Sequence, residues 1–166
     1  ASTALDASTN GSAEGTAVAN SKLDTLNSTL ITKYHVGWRV TFEPGEVKAV
    51  SRKNGKTVCE KTIRTAGAPH HIRLTTDYAG KDLTFVNVEV VDKDGNLCPW
   101  ADDQIFLSVS GDAEIIATDN GCQTSMERFT SPNRRAFFGK CIAVVRGKGV
   151  LTARGIGLGN GHINIE

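Results

Sequence analysis

The sequence lacks the features that would link it directly to a membrane or to a nucleic acid. No apolar run approaches the ~20 residues that a membrane-spanning helix needs, and the N-terminus lacks the basic and then apolar pattern of a signal peptide. Neither sign of charge dominates, because 19 Lys and Arg stand against 18 Asp and Glu, for a net charge of +1. Nucleic acid and membrane are therefore not expected partners.

Metal-binding patterns of cysteine are absent as well. Cys59, Cys98, Cys122 and Cys141 form no C-x-x-C pair and have no Cys/His spacing suited to zinc, so no metal or other cofactor is expected. Four thiols allow three disulfide pairings, between which the sequence does not choose. A chain of 166 residues can form a stable hydrophobic core without disulfide bonds, so we expect the cysteines to be mostly buried free thiols.

A helical period is missing throughout, whereas alternation of apolar and polar residues is frequent. Residues 34–42 place Tyr, Val, Trp, Val and Phe on one face, which predicts a strand with Trp38 in the core. Asn54-Gly55 and Asp94-Gly95 are strong turn signals. About seven short strands in the last ~100 residues are typical of an immunoglobulin-like sandwich, so the predicted fold is all-β, built of immunoglobulin-like β-sandwich modules.

Composition divides the chain into two predicted domains. Residues 1–29 are rich in Ala, Ser, Thr, Asn and Gly, which predicts either a poorly ordered stretch or edge strands. Residues 65–69 have the composition of a linker. We therefore expect a small or incomplete β-sandwich over residues 1–66 and an immunoglobulin-like C-terminal domain over residues 67–166.

Two acidic or histidine-rich patterns favour structural over metal-binding interpretations. Asp92, Asp94 and Asn96 alternate as in a calcium loop, but Leu97 occupies the position of the turn glycine and flanking helices are missing. A charged hairpin tip is the prediction. His70 and His71 are consecutive on a predicted strand, so we expect them to point to opposite faces and not to share an ion.

The candidate binding residues come from two polar and aromatic stretches. Trp100 precedes two carboxylates, a combination that can stack a sugar ring and bind its hydroxyls, or else close the sandwich edge against another domain. Arginines of the second stretch suit a carboxylate or phosphate. The candidates for a carbohydrate or interdomain contact are Trp100, Asp102, Asp103, Arg134 and Arg135, with Tyr78 as a further aromatic for a sugar platform.

Residues 120–147 combine Cys, Ser, Thr, Glu, three Arg and two adjacent Phe, but they lack a histidine and a G-x-S-x-G motif. A catalytic triad is therefore not expected, and the segment is interpreted as a long connection followed by a strand.

The same segment, residues 120–147, contains the motifs N-G-C-Q-T-S, E-R-F and R-A-F-F-G-K. Together with "VGWRVTFEPGEVKAVSRKNGK", "TAGAPHHIRLTTD" and "GKDLTFVNVEVVDKDGN", they resemble the C-terminal region of glycoside hydrolase family 2 enzymes of the β-galactosidase type from gut Bacteroidetes.

The resemblance covers about residues 34–155. It departs from the family pattern at Cys122 and Gln123, where Asp-Pro is usual, and at Phe138, where Asn is usual. It implies a retaining glycosidase whose two catalytic glutamates lie on a (β/α)₈ barrel of ~250 residues, and no acidic pair here matches them.

On this resemblance, we expect a non-catalytic C-terminal region that supports the barrel, with the barrel and other β-domains as partners. The family habit implies a periplasmic or secreted location. A carbohydrate-binding module and an immunoglobulin-like domain of a bacterial surface adhesin are the alternatives. Adhesin domains of this kind usually occur as tandem copies, and the sequence contains no internal repeat, which argues against the adhesin.

Overall fold

The computed structural model describes the backbone of residues 2–10, 12–19, 30–31, 36–37 and 41–166, and side chains from residue 41 onward. Its described residues form strands, turns and bends, and none of them is helical. The chain divides into two compact units, Ala1–Thr65 and Ala66–Glu166. The prediction of an all-β fold is confirmed.

The first unit is built on a four-stranded sheet. Strands β1 (Ser2–Asn10) and β2 (Ser12–Ala19) pair antiparallel, and β1 also pairs in parallel with β5 (Glu46–Lys53). The strand order is β2-β1-β5-β6, so the small polar residues of the N-terminal stretch form strands, with β2 at an edge. Residues 20–29 lie outside the described part of the chain.

The hairpin predicted at Asn54-Gly55 is confirmed. It joins β5 to β6 (Lys56–Arg64), and its central residues have φ angles of 51° and 74°. Both values are positive, as a tight two-residue hairpin turn requires, and Asn and Gly tolerate them best. Glu46 and Arg64 pair across the two strands at 2.8 Å.

The strand predicted over residues 34–42 does not extend to Phe42 in the structure. Among the described residues, strand β4 (Val36–Gly37) pairs with β3 (Leu30–Ile31), and Phe42 lies outside a strand with 76% of its surface exposed. Placing Phe42 on the buried face was therefore wrong. Pro44 follows two residues later, and its ring removes a donor that a continuing strand would need. Residues 34, 35 and 38–40, including Trp38, lie outside the described residues.

The second unit is an immunoglobulin-like β-sandwich of two four-stranded antiparallel sheets. One sheet has the order β10-β12-β8-β7 and the other β11-β9-β13-β14. This is the ABED and GFC arrangement of immunoglobulin domains, with one short additional strand, β11, beside β9. The strands are β7 (His71–Ala79), β8 (Leu83–Val91), β9 (Gln104–Gly111), β10 (Glu114–Asp119), β11 (Asn133–Arg135), β12 (Lys140–Arg146), β13 (Gly149–Gly155) and β14 (Gly161–Ile165).

Alternation along the strands produces the core of the second unit. In β8 every second residue from Thr84 to Val90 is buried. Strand β12 follows the same rule, as expected for sheets with one face against a partner sheet. The facing sheet contributes apolar residues of β9, β13 and β14, and burial of each large aliphatic side chain stabilises the fold by about 1.5–3 kcal/mol. The core includes Val86, Val88, Val90, Ile105, Leu107, Cys141, Ala143, Val145, Leu151, Ala153 and Ile165.

The two sheets are also joined at one edge by backbone hydrogen bonds. The amide of Ile72, in β7, donates to the carbonyl of Gly159 at 2.9 Å, and the amide of Gly159 donates to the carbonyl of His70 at 2.8 Å. His71 and Gly159 form a parallel bridge there. The first strand of the second unit is thereby attached to the segment that precedes its last strand.

Candidate functional site

Two connections between the sheets meet at one edge of the second unit. Residues 92–103 lead from β8 to β9, and residues 136–139 lead from β11 to β12. The amide of Gly139 donates to the carbonyl of Ala101 at 2.9 Å, and the amide of Ala136 donates to the carbonyl of Asp103 at 2.8 Å. These bonds fix the backbone of the two connections against each other.

Asp92 stabilises the turn at the start of the first connection through hydrogen bonds to its carboxylate. Its carboxylate accepts hydrogen bonds from the amides of Gly67 at 2.7 Å, Asp94 at 2.9 Å and Asn96 at 2.8 Å. Its residue is 2% exposed, so the predicted charged tip is a turn closed around a buried carboxylate. Gly95 has the positive φ of 81° that this turn requires. Calcium coordination has no support from this geometry, because the oxygens of Asp92 face N–H donors.

The hydrogen bonds to Asp92 make the free energy of unfolding depend on pH in the acidic range. They lower the pKa of Asp92 below its ordinary value of 3.8, with the bond from the Gly67 amide as the largest cause. A lowered folded-state pKa stabilises the fold above the ordinary pKa, and this stabilisation is lost as the pH falls toward the folded-state value. We expect the free energy of unfolding to decrease below about pH 4.

Urea unfolding of wild type and of Asp92→Asn between pH 7 and pH 3 tests this expectation. The variant should be less stable at pH 7, because its amide nitrogen cannot accept the donated bonds. The difference in stability should narrow below pH 4, because the Asp92 carboxylate of the unfolded wild-type chain takes up a proton there while that of the folded chain stays ionised. A difference that stays constant over this range would contradict the role of Asp92.

The two connections carry three exposed aromatic side chains. Trp100 is 56% exposed, Phe137 38% and Phe138 65%. We call Trp100, Phe137 and Phe138 the aromatic edge. The rings of Phe137 and Phe138 lie 4.4 Å apart in a tilted arrangement. The sequence offers one signal for the two phenylalanines, since Phe138 departs from the usual family residue, but no spacing in it predicts that they share an edge with Trp100.

An ion pair lies beside the aromatic edge. The guanidinium of Arg135 contacts the carboxylate of Asp102 at 2.8 Å and donates to the Asp102 carbonyl at 3.1 Å. Both side chains are exposed. Asp103 is half-buried, and its backbone carbonyl takes part in joining the two connections. Four of the predicted contact residues therefore lie in one region of the second unit, where they could belong to a single contact surface. They are Trp100, Asp102, Asp103 and Arg135.

Arg134 differs from these four because it lies inside the domain. The residue is 1% exposed, and its guanidinium donates to the carbonyls of Thr118 at 2.7 Å and Arg128 at 2.8 Å. It also donates to the Thr118 hydroxyl at 3.1 Å and lies 3.5 Å from the Glu127 carboxylate. Its side chain organises the connection between β10 and β11 and is not available at the surface for a carbohydrate.

Glu127 completes the arrangement around that connection. Its carboxylate accepts the backbone amide of Arg135 at 3.1 Å and the side-chain amide of Gln104 at 3.3 Å. The hydroxyl of Ser125 also donates to it, at 3.3 Å. The hydroxyl of Ser125 is thus bonded to a carboxylate within its own loop and not to an imidazole. Residues 120–132 contain no strand, so the predicted long connection is present, and the hydrogen bonds of Glu127 and Arg134 hold it in place.

Two further sequence expectations differ from the structure. Tyr78 pairs with Phe85 near the start of β8, whereas Trp100 follows the end of β8, so the two aromatics cannot form one platform. The Nδ1 atoms of His70 and His71 lie 3.1 Å apart. The prediction of opposite faces was wrong because β7 begins at His71, so strand alternation does not apply to His70. The part of the chain with described side chains holds no group of three or more potential metal ligands.

The four cysteines are free and differ in their surroundings. Cys98 and Cys141 are buried, Cys122 is half-buried and Cys59 is exposed. Burial raises the pKa of Cys141 to about 12. Hydrogen bonds from the side chain and backbone of Thr124 lower the pKa of Cys122. Two of the four thiols are thus buried, and the pKa of the half-buried thiol favours the reactive thiolate.

We therefore expect two thiols to react with an aromatic disulfide reagent at pH 7 in the native protein and four after unfolding. In a Cys59→Ser background, the single fast phase should belong to Cys122 and vanish in Cys122→Ser. Cys141→Ser in the same background is the matched control and should leave the fast phase unchanged. Reaction of the buried thiols within about tenfold of the Cys122 rate would contradict the described burial.

No helix in the described residues is long and apolar enough to cross a membrane. The described geometry thus comprises a rigid sandwich edge with exposed aromatics, one ion pair and a buried arginine. It contains neither a nucleophile activated by a base nor two carboxylates that face each other across a cleft, within the residues whose side chains are described.

Comparisons with known proteins agree with the architecture. The profile described as "Glycoside hydrolase family 2 C-terminal domain 5" matches residues 68–164, and a domain of unknown function, DUF4982, matches residues 10–59. The chain therefore belongs to glycoside hydrolase family 2. The resemblance drawn from the motifs is confirmed.

The relatives are much longer than this chain. The β-galactosidase BoGH2A of Bacteroides ovatus is 46% identical over 167 residues, which are 95% of this chain and 18% of that protein. A β-glycosidase structure from Bacteroides vulgatus superposes with a TM-score of 0.73 at 26% identity, over 92% of this chain and 20% of that one. A family 2 member from Bacteroides cellulosilyticus superposes with a TM-score of 0.68 at 31% identity, over 80% and 19%. The chain thus spans about a fifth of the length of these relatives.

Proposed function

We propose that this chain is the non-catalytic C-terminal region of a family 2 glycosidase of the β-galactosidase type, in which it supports the catalytic barrel. The observation that carries the proposal is the 46% identity to the Bacteroides ovatus β-galactosidase across 95% of this chain. In the parent enzyme, two glutamates of the barrel perform retaining hydrolysis of the glycoside. The two β-units supply a rigid scaffold, and the enzyme acts in the periplasm or outside the cell.

The test compares the full-length polypeptide encoded by the gene with the 166-residue chain. We expect the full-length polypeptide to hydrolyse p-nitrophenyl β-galactoside and the 166-residue chain to release no nitrophenol. The β-glucuronide is the matched control substrate, because a relative from Formosa agariphila at 31% identity is named a putative β-glucuronidase. Preference for the glucuronide would replace the proposed substrate, and turnover by the chain alone would refute a non-catalytic role.

Carbohydrate binding by the second unit is the other candidate, favoured by the exposure of Trp100 beside Asp102. An aromatic face can stack on a sugar ring, and a carboxylate can accept hydrogen bonds from the sugar hydroxyls. Titration calorimetry of the 166-residue chain with galactose, lactose and plant oligosaccharides tests it. Binding heat that disappears in Trp100→Ala would support this function, and the absence of heat with all ligands would remove it.

A further inference from the structure

The backbone of Phe138 has a conformation that suits its side chain poorly. Phe137 and Lys140 exchange backbone hydrogen bonds at 2.8 and 3.1 Å, so Phe138 and Gly139 are the central residues of a two-residue hairpin turn. Their φ angles are 50° and 76°. Such a turn favours Asn or Gly at its first central position, because a side chain with a bulky Cβ substituent is strained at positive φ.

The chain contains an unstrained turn of the same kind. Asn54 and Gly55, with φ angles of 51° and 74°, have nearly the same conformation as Phe138 and Gly139. Among the described residues, Asn54 and Phe138 are the two non-glycine residues with positive φ. Asn is therefore the residue that this turn geometry would select for stability alone, and Phe138 needs another explanation.

Burial within the domain does not compensate for the strain. Phe138 keeps 65% of its surface exposed, and its described ring contact is with Phe137, itself 38% exposed. The turn is held firmly, because Gly139 donates to the Ala101 carbonyl and accepts from the Val90 amide at 2.8 Å. A strained residue that projects an exposed ring from a rigid turn indicates a function for that ring.

The neighbouring groups favour a protein surface as the partner of the aromatic edge. Trp100 adds a third exposed aromatic on the adjoining connection, and aromatic anchors with a polar rim are typical of the energetic centre of protein interfaces. The carboxylate of Asp102 and the guanidinium of Arg135 neutralise each other at 2.8 Å. This pair has no net charge of its own and already uses part of the hydrogen-bonding capacity that sugar hydroxyls would need.

We propose that the aromatic edge docks the second unit onto another domain of the parent glycosidase, with Phe138 as an anchor. The inference rests on the proposed function. About four fifths of each long relative lies outside the matched region, so other domains of the same polypeptide are the protein surfaces present at the highest effective concentration. Docking buries the Phe138 ring and thereby offsets the strain of its backbone.

Hydroxyl-radical footprinting with mass spectrometry tests the proposal, because it measures the accessibility of individual side chains. In the full-length polypeptide, oxidation of Trp100 and Phe138 should be about fivefold or more slower than in the 166-residue chain, as expected for side chains in a desolvated interface. Tyr78 is exposed but belongs to another region and is the internal reference. Equal oxidation of the aromatic edge in both proteins would overturn the proposal.

Phe138→Asn provides a variant that should fold better than wild type. In the 166-residue chain it should raise the unfolding midpoint by about 2–5 °C, because Asn relieves the strain. In the full-length polypeptide it should restore oxidation of Trp100 toward the rate in the 166-residue chain. The matched control Ile156→Ala removes an apolar side chain that is even more exposed than Phe138, from the turn before β14, and should leave Trp100 protected.

The outcomes separate this inference from the proposed function. A full-length polypeptide that hydrolyses galactosides but leaves Trp100 unprotected would refute docking and retain the glycosidase. Protection without hydrolysis of either aryl glycoside would retain docking and refute the activity. Sugar-binding heat that the 166-residue chain loses in Phe138→Asn would assign the aromatic edge to carbohydrate and overturn the docking proposal.

Discussion

Replacing Arg134 by alanine should lower the free energy of unfolding of the second unit by about 3–5 kcal/mol. The guanidinium is buried and donates to the carbonyls of Thr118, Glu127 and Arg128. Its removal deletes the hydrogen bonds to these carbonyls, leaves the Glu127 carboxylate without its cationic neighbour and opens a cavity beside β11. Equilibrium urea denaturation, followed by tryptophan fluorescence and circular dichroism, measures the loss.

Arg135→Ala is the matched control for this prediction. Arg135 is the next residue of the same strand, but its side chain is exposed and pairs with the exposed Asp102. Removal of an exposed ion pair costs less than about 1 kcal/mol. Similar losses in the two variants would show that the hydrogen bonds of Arg134 add little beyond those of a surface arginine.

Gly139→Ala should be nearly as damaging, with an expected loss of about 3–5 kcal/mol. Gly139 has a φ of 76°, and a Cβ atom at this position would overlap the backbone carbonyl oxygen of Cys98. The overlap is with backbone and not with the end of a flexible side chain, so relief requires the two connections at the aromatic edge to separate. Thermal and urea denaturation of the 166-residue chain would report the loss.

Gly157→Ala isolates the contribution of this overlap. Gly157 has almost the same φ, 75°, but a Cβ atom there meets nothing within 4 Å. Only the conformational cost of about 1–2 kcal/mol should remain. If both alanine variants lost the same stability, the close contact between the two connections would not exist in solution.

Strands and turns could be predicted from the sequence where a local pattern, such as alternation of apolar and polar residues or an Asn-Gly pair, matches the burial or backbone conformation in the fold. In β8 apolar and polar residues alternate from Val86 to Val90 in the sequence as buried and less buried side chains do in the structure, because each buried residue faces the second sheet. Asn54-Gly55 defined its hairpin because few other residue pairs accept two consecutive positive φ angles. The long strand ending at Phe42 failed because periodicity alone does not show where pairing partners stop.

The candidate site was less accessible to sequence reasoning because it depends on contacts between distant segments. Arg134 and Arg135 are adjacent in the sequence, and only the three-residue strand β11 turns the first inward and the second outward. Such a short strand has no periodic signal. Phe138 and Trp100 share an edge because the backbone of Gly139 bonds to that of Ala101, 38 residues apart by number. No composition or spacing rule expresses that pairing.

The parallel bridge between His71 and Gly159 has a mechanical consequence. Its two backbone hydrogen bonds join the start of β7 to the segment before β14, and both segments run in the same direction. A pulling force applied to the two ends of the second unit would load these bonds together along the strands and would not open them one at a time. The unit would resist tension until both bonds break, and its lifetime under load would follow the rate of that rupture.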